Sequence, residues 1–323
     1  MTSGRLRGRR ALHTELGNAI TIRFALPSAE LHPFVTTYYH TQASASPSEP
    51  FLEDYFHPEW PNLRFMEAGW AQSAIGSDSL SYSPAFSVTG PTSKAARFRI
   101  TSGRSWGIGL MPLGWATLFD AHASDYADCI TDGHLDPVFE AFRPLADALA
   151  ASSGDYTGEL RLIENHMAEM FCQDGSGAKS ARRAAPRATR AITAINAALV
   201  DPELATVGDL ADRVGMNIRS LERLSKRAFG FTPKLLMRRQ RFLRSLAQFM
   251  LDPSLKWLST LDYQYHDQAH FVRDFKRFMG MSPSTYAKLD KPLLMAAAQA
   301  RMAIAGEAVQ GLHDPSLEGA ASE

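Results

Sequence analysis

Cysteine is nearly absent: Cys129 and Cys172 are the two in 323 residues. So few thiols exclude a disulfide-stapled secreted scaffold and suit a reducing compartment, where buried free thiols are the simpler expectation. Long apolar runs are absent too. No stretch of about 18 apolar residues occurs, so no membrane-spanning helix is expected. The opening MTSGRLRGRRALHTELG is basic but has no apolar h-region. It therefore reads as a flexible basic arm over 1–17 and not as a secretory signal. No His-x-His occurs among the ten histidines, which removes the strand-spaced ligand pair a cupin enzyme would use. Net charge is also missing, at 34 basic against 34 acidic residues.

That zero conceals an asymmetry. Residues 206–290 hold 15 Lys+Arg and 8 Asp+Glu, whereas residues 11–177 hold 20 acids and fewer than half as many bases. An anionic partner is therefore expected for the C-terminal part alone. With 45% hydrophobic and 21% charged residues the chain is of globular type, and its length predicts two domains.

Residues 20–100 alternate β-type runs (34–39, 63–66, 86–88, 97–100) with the punctuation FALPS, QASASPSEP, SYSPAF and TGPTSK. RSWGIGLMPLGWATLF reads as a Gly-rich strand, then Pro112, then a turn into helix, and helical pattern follows over about 137–151 and 156–172. QDGSGAKSARRAAPRATR is small, basic and Gly/Ser/Ala-rich, the composition of a linker. Beyond it the pattern is helical over 188–199, 206–214, 218–229, 233–251, 255–264 and 268–279, with an Ala/Met-rich helical tail over 284–309. The domain expectation is an arm (1–17), a β-rich domain (18–172), a linker (173–187), an all-α domain (188–292) and a tail, helical then disordered (293–323).

The C-terminal half contains a weak repeat. LADRVGMNIRSLERLSKRAFGFTP (210–233) and LDYQYHDQAHFVRDFKRFMGMSP (261–283) each give a short helix, a tight break, a helix with a basic face, a glycine, and Ser/Thr-Pro opening the next helix. Each unit reads as a helix-turn-helix. The joining helix of 18 or so residues spans roughly 27 Å at about 1.5 Å per residue. With its flanking turns, that would separate the two second helices by about one turn of B-DNA, roughly 34 Å. Leu221 and Leu224 face inward in the first unit. Phe271, Phe275 and Phe278 form the apolar stripe of the second. His266 and His270 in HDQAHF have the spacing of a helical zinc-ligand pair. Asp267, however, reads as the N-cap, which puts His266 outside the helix, and no metal is expected there.

Residues 190–290, and DQAHFVRDFKRFMGMSPSTY above all, resemble the AraC/XylS family of bacterial transcription regulators. In the first unit the resemblance is carried by Leu210-Ala211, Val214-Gly215, Leu221, Arg223-Leu224, Gly230, Pro233 and Arg241. Ser259-Thr260, Gln264 and Ser225 depart from the family pattern at packing and turn positions. The resemblance implies that Arg219, Glu222 and Arg223 read base edges in one major groove of double-stranded DNA, and Gln268, His270 and Arg273 in the next. Glu222 would accept from a cytosine N4 or orient an arginine; the plainer reading is an ion pair with Lys226. Asn217, Ser220 and Asp267 would cap helices or grip phosphates, and Lys226, Arg227, Lys276 and Arg277 would neutralise phosphates. Arg241 reads as a structural ion pair, and Arg238, Arg239 and Arg244 as solvated.

For the front domain the resemblance is to cupin-like sensor barrels, making the fold α+β overall. Trp60, Arg64, Phe65, Trp70, Trp106, Met111 and Trp115 are candidates for an effector pocket or, on the plainer reading, for the barrel core. Gly107 and Gly109 mark a bulge or a close approach. Neither cysteine has an activating context, so no catalysis, cofactor or metal is expected. The implied partners are DNA, a small-molecule effector, a second copy of the chain and, for an activator, RNA polymerase, with a cytoplasmic location at the nucleoid. Two other readings stand beside this one: a cupin-type metal enzyme with a fused regulatory tail, and a regulator answering to a partner protein.

Overall fold

The computed structural model describes residues 14–16, 20–45, 50–172, 185–251 and 268–305. The helix expected over 255–264, the departures at Ser259, Thr260 and Gln264, and His266 and Asp267 lie outside them.

Residues 14–132 form two antiparallel sheets. The larger has seven strands. Its order is β1 (Thr14–Leu16), β2 (Ile20–Ala25), β3 (Val35–Ala43), β10 (Gly103–Leu110), β5 (Asn62–Ala68), β8 (Phe86–Thr89), β11 (Ile130–Asp132). The smaller runs β4 (Leu52–Phe56), β9 (Ala96–Ile100), β6 (Ala71–Ile75), β7 (Ser81–Ser83). The expected barrel is thus two sheets that do not close into one ring.

The expected strand runs all lie in strands or at their edges, and β3 and β8 bury consecutive residues on both faces. On β3, Tyr38 and His40 face one side while Tyr39 and Thr41 face the other. Gly107 is required by a close approach: a Cβ there would lie 1.9 Å from the Tyr39 ring, and the register shifts between Gly109 and Leu110.

The outer face of the large sheet is covered by α1 (Pro112–Leu118), α2 (Arg143–Ala150) and α3 (Tyr156–Cys172), with a 3-10 turn at Pro137–Phe142. Its core holds Tyr38, Phe65, Trp106, Trp115, Phe139, Phe142 and Ile163, all buried.

The helical region begins with α4 (Pro186–Val200) and α5 (Val207–Arg213). A capping box opens α5: Asp209 N–H donates to Thr206 Oγ1 and Thr206 N–H to Asp209 Oδ2. Next come α6 (Ile218–Phe229) and the long α7 (Pro233–Leu251), then α8 (Gln268–Met279) and α9 (Pro283–Ala287). The tail is not a continuous helix from 284: α9 stops at Ala287 and α10 (Pro292–Ala305) starts anew at Pro292, where the ring presets helical φ.

Gly230 and Gly280 end α6 and α8 with φ of +83° and +72°. Their surroundings differ. A Cβ on Gly280 meets nothing within 4 Å among the described residues, whereas one on Gly230 would lie 2.4 Å from Pro91 Cγ. Gly280→Ala is expected to cost about 1 kcal/mol from the left-handed backbone alone. Gly230→Ala adds overpacking of about 1–3 kcal/mol against the β-rich region. Urea midpoints measured side by side check the order, and equal losses would deny the Gly230–Pro91 contact.

Candidate nucleic-acid interface and the seam behind it

The two helix-turn-helix units are built as their sequences dictate. In the first, α5 ends at Gly215 (φ +61°) and Asn217 caps α6, its side chain accepting from Ser220 N–H at 2.9 Å. Leu221 and Phe229 are buried, and Arg219, Glu222, Arg223, Lys226 and Arg227 are exposed on the same helix. In the second, Phe271, Phe275 and Phe278 are fully buried while Arg273, Lys276 and Arg277 are exposed. His270 is half-buried. Gln268 begins α8, and Asp267 falls outside the described residues. Ser282 caps α9, accepting from Thr285 N–H at 3.1 Å. Ser225 is fully buried, and its hydroxyl finds no hydrogen bond there.

Behind these faces lies a seam with the sheets. Arg239 was read as solvated from sequence, yet it is completely buried. Its guanidinium stacks over Trp60 at 4.2 Å and its Nε donates to the Thr92 carbonyl at 2.9 Å. Burial lowers its pKa to about 9. Among the described residues, neither terminal nitrogen finds a hydrogen-bond partner. Arg239→Met is therefore expected to unfold no more readily than the parent, since a poorly satisfied buried cation is often neutral or stabilising to replace. A loss of several kcal/mol in urea unfolding would contradict this.

The seam continues through Ala95 N–H, which donates to the Phe278 carbonyl at 2.7 Å, and Leu294 N–H, which donates to Asp54 Oδ2 at 2.9 Å. His57 and the Tyr286 hydroxyl share a bond of 2.6 Å. Burial lowers the His57 pKa to about 3, with Arg301 and Lys291 adding in the same sense. The folded state thus refuses a proton that the unfolded chain accepts below about 6.5. Stability from this group is present above that pH and is lost as pH falls toward 3, by about 1.4 kcal/mol per unit. Nearby Asp54 opposes it, because burial raises its pKa to about 6. Comparing the parent with His57→Gln between pH 6 and pH 4 isolates the histidine. The parent is expected to lose stability more steeply, and parallel curves would contradict the assignment.

Between the two sheets lies an apolar cavity of about 140 Å³. Ile22, Phe24, Phe56, Met66 and Phe98 line it, with Tyr39, His57, Glu59 and Arg64 among its polar groups. Leu293, Ala297, Ala298 and Arg301 of α10 also line it. Arg64 is held by Glu59 and by Thr89 Oγ1 at 2.8 Å. Of the pocket candidates only Arg64 lines this space. Phe65, Trp106 and Trp115 point into the helix-covered core, because alternation turns Phe65 away from its neighbours Arg64 and Met66. Trp60 and Met111 pack in the seam against α4–α6, and Trp70 lies beside Phe51 at 5.3 Å. Sequence reasoning missed the contribution of α10, which no local motif announces.

Gly103-Arg104-Ser105-Trp106-Gly107 spells Gly-x-Ser-x-Gly, but all five residues lie within β10, the last four of them paired on both sides, and not at a strand-to-helix elbow.

Residues 210–289 match a family described as a helix-turn-helix domain. No curated protein matches the chain. Among solved structures, ToxT from Vibrio cholerae is 12% identical over 84% of this chain and 98% of its own, with a TM-score of 0.40. Unsaturated-fatty-acid-bound ToxT from the same species gives 13% identity, 85% and 96% coverage and 0.38. The AraC-like transcriptional activator CuxR gives 15%, 70%, 87% and 0.27. The chain combines a two-sheet β-rich region with a helical region. Residues 210–289 of that region are a helix-turn-helix domain of the AraC type.

Proposed function

We propose that the chain is a sequence-specific transcription regulator that lays α6 and α8 into successive major grooves of double-stranded DNA. The observation that carries this reading is the paired exposure of Arg219, Arg223, Lys226 and Arg227 on α6 and Arg273, Lys276 and Arg277 on α8. The apolar faces of both helices are buried. Arg219, Glu222 and Arg223, with Gln268, His270 and Arg273, take the base edges. Lys226, Arg227, Lys276 and Arg277 take phosphates, and the exposed amides behind Asn217 offer a further phosphate grip.

The β-rich region, dividing from the helical one across 173–187, senses a small apolar effector in the cavity between the sheets. A space of about 140 Å³ is of the size that admits a single aromatic ring. An occupant would touch α10, which follows directly on the second helix-turn-helix unit, so occupancy and the position of α8 are mechanically linked. Selecting duplexes from a random pool with the full chain tests the function. A recovered sequence with two conserved blocks about 10 bp apart supports it. Recovery of no sequence preference, with binding set by salt alone, would refute it.

A further inference from the structure

We propose that His40, Glu67 and Glu159 form a binding site for a divalent transition-metal ion, set in the outer core of the β-rich region. The three come from β3, β5 and α3. Their ligand atoms, one from each residue, all lie within 4.8 Å of one another. No His-x-His signals the site, because its ligands come from elements far apart in the chain.

The hydrogen bonds are divided in a way that points to a ligand. Each carboxylate has one oxygen engaged by a donor of the protein. Arg104 Nε donates to Glu67 Oε2, and Trp106 Nε1 donates to Glu159 Oε2 at 2.7 Å. Among the described residues, the other oxygen of each, Glu67 Oε1 and Glu159 Oε1, meets no hydrogen-bond partner, and neither does His40 Nε2. These atoms are not exposed to solvent: the side chains of Glu67 and Glu159 are 1% and 0% exposed, and His40 is 5% exposed. Three residues gathered within ligand distance of one another, each with a buried ligand atom unused, form a costly arrangement without an occupant. The donors on the far oxygens are what a second coordination shell supplies, fixing each carboxylate so that its free lone pair is aimed.

The chemistry selects the ion. One imidazole nitrogen and two carboxylate oxygens suit Zn²⁺, Fe²⁺ or Mn²⁺ better than Mg²⁺ or Ca²⁺, which prefer all-oxygen shells. Two cations face the cluster. Arg104 lies 3.9 Å from Glu159 Oε1, and Arg23 sits over the Tyr156 ring at 5.0 Å. They balance the two carboxylates, so an added ion must outbid their repulsion through the three ligand bonds. Arg104, whose side chain is 28% exposed, is the natural point of entry. The rings of Trp106 and Tyr156 wall the His40 side at 4.9 and 5.8 Å. Bound there, the ion ties α3 to the centre of the large sheet.

The test is zinc titration of the chelator-treated full chain by calorimetry, with elemental analysis of the dialysed product. One equivalent of Zn²⁺ is expected, with a raised melting temperature. Glu67→Gln and Glu159→Gln, near-isosteric changes, should each weaken binding at least about 10-fold. Absence of saturable binding, or one equivalent bound with unchanged affinity in both variants, would overturn the proposal. Should a variant not fold, Cu²⁺ bound to the parent decides by paramagnetic resonance. Coupling to a single imidazole nitrogen is expected, and coupling to none or to several would overturn the assignment.

Discussion

Arg238→Ala is expected to lower the unfolding free energy by about 3 kcal/mol or more, the largest loss from any single change considered for this chain. Arg238 on α7 pairs with Asp274 on α8, joining the long helix to the second recognition helix. The pair is asymmetric: Asp274 has no exposed side-chain surface, whereas Arg238 is about one-third exposed at 31%. Removing the arginine takes a charge-assisted pair from a fully buried carboxylate, and breaking such a pair from one side typically costs about 3–5 kcal/mol. Removing the carboxylate by Asp274→Ala leaves a guanidinium that water can reach, so that loss should be smaller. Urea unfolding of the two variants checks both the size and the order. A loss below about 1 kcal/mol for Arg238→Ala would place this pair among ordinary surface ion pairs.

Arg273→Ala is expected to weaken binding to the preferred duplex by about 1–3 kcal/mol and to relax base choice at one position. The residue is exposed on the face of α8 opposite Phe271, Phe275 and Phe278, so folding should be untouched. Lys276→Ala, one turn along, is expected to act differently. It should weaken all sequences alike and reduce the slope of log K against log salt by about one. Competition binding against single-base variants of the duplex at two salt concentrations separates the two effects. Unchanged specificity in Arg273→Ala would remove that side chain from base reading.

The helical region was largely legible in the chain, and the reason is local. Asn217, Gly230, Ser282 and Pro283 are cap and stop residues whose effect depends on a few neighbours, and the Phe271–Phe275–Phe278 stripe fixes the buried face of α8 alone. The strands of the sheets were legible by alternation, but not what lies between the sheets. Trp106 and Trp115 are as apolar as any pocket residue, and only the register decides that they face the helix-covered side. Arg239 shows the limit most clearly. Within RRQRFLR it is one base among several, and its burial depends on Trp60 and Thr92, which pack on it from the other region. The same holds for α10, whose Ala-rich sequence gives no sign that it closes a cavity, and for His40, Glu67 and Glu159, which are unremarkable singly.

The most direct test of the two-groove account is hydroxyl-radical footprinting of the full chain on its selected duplex. Two protected stretches on one side of the helix, with centres about 10–10.5 bp apart, are predicted. Arg223→Ala should fade one stretch and Arg273→Ala the other. A single protected stretch, or two that both survive Arg273→Ala unchanged, would contradict it.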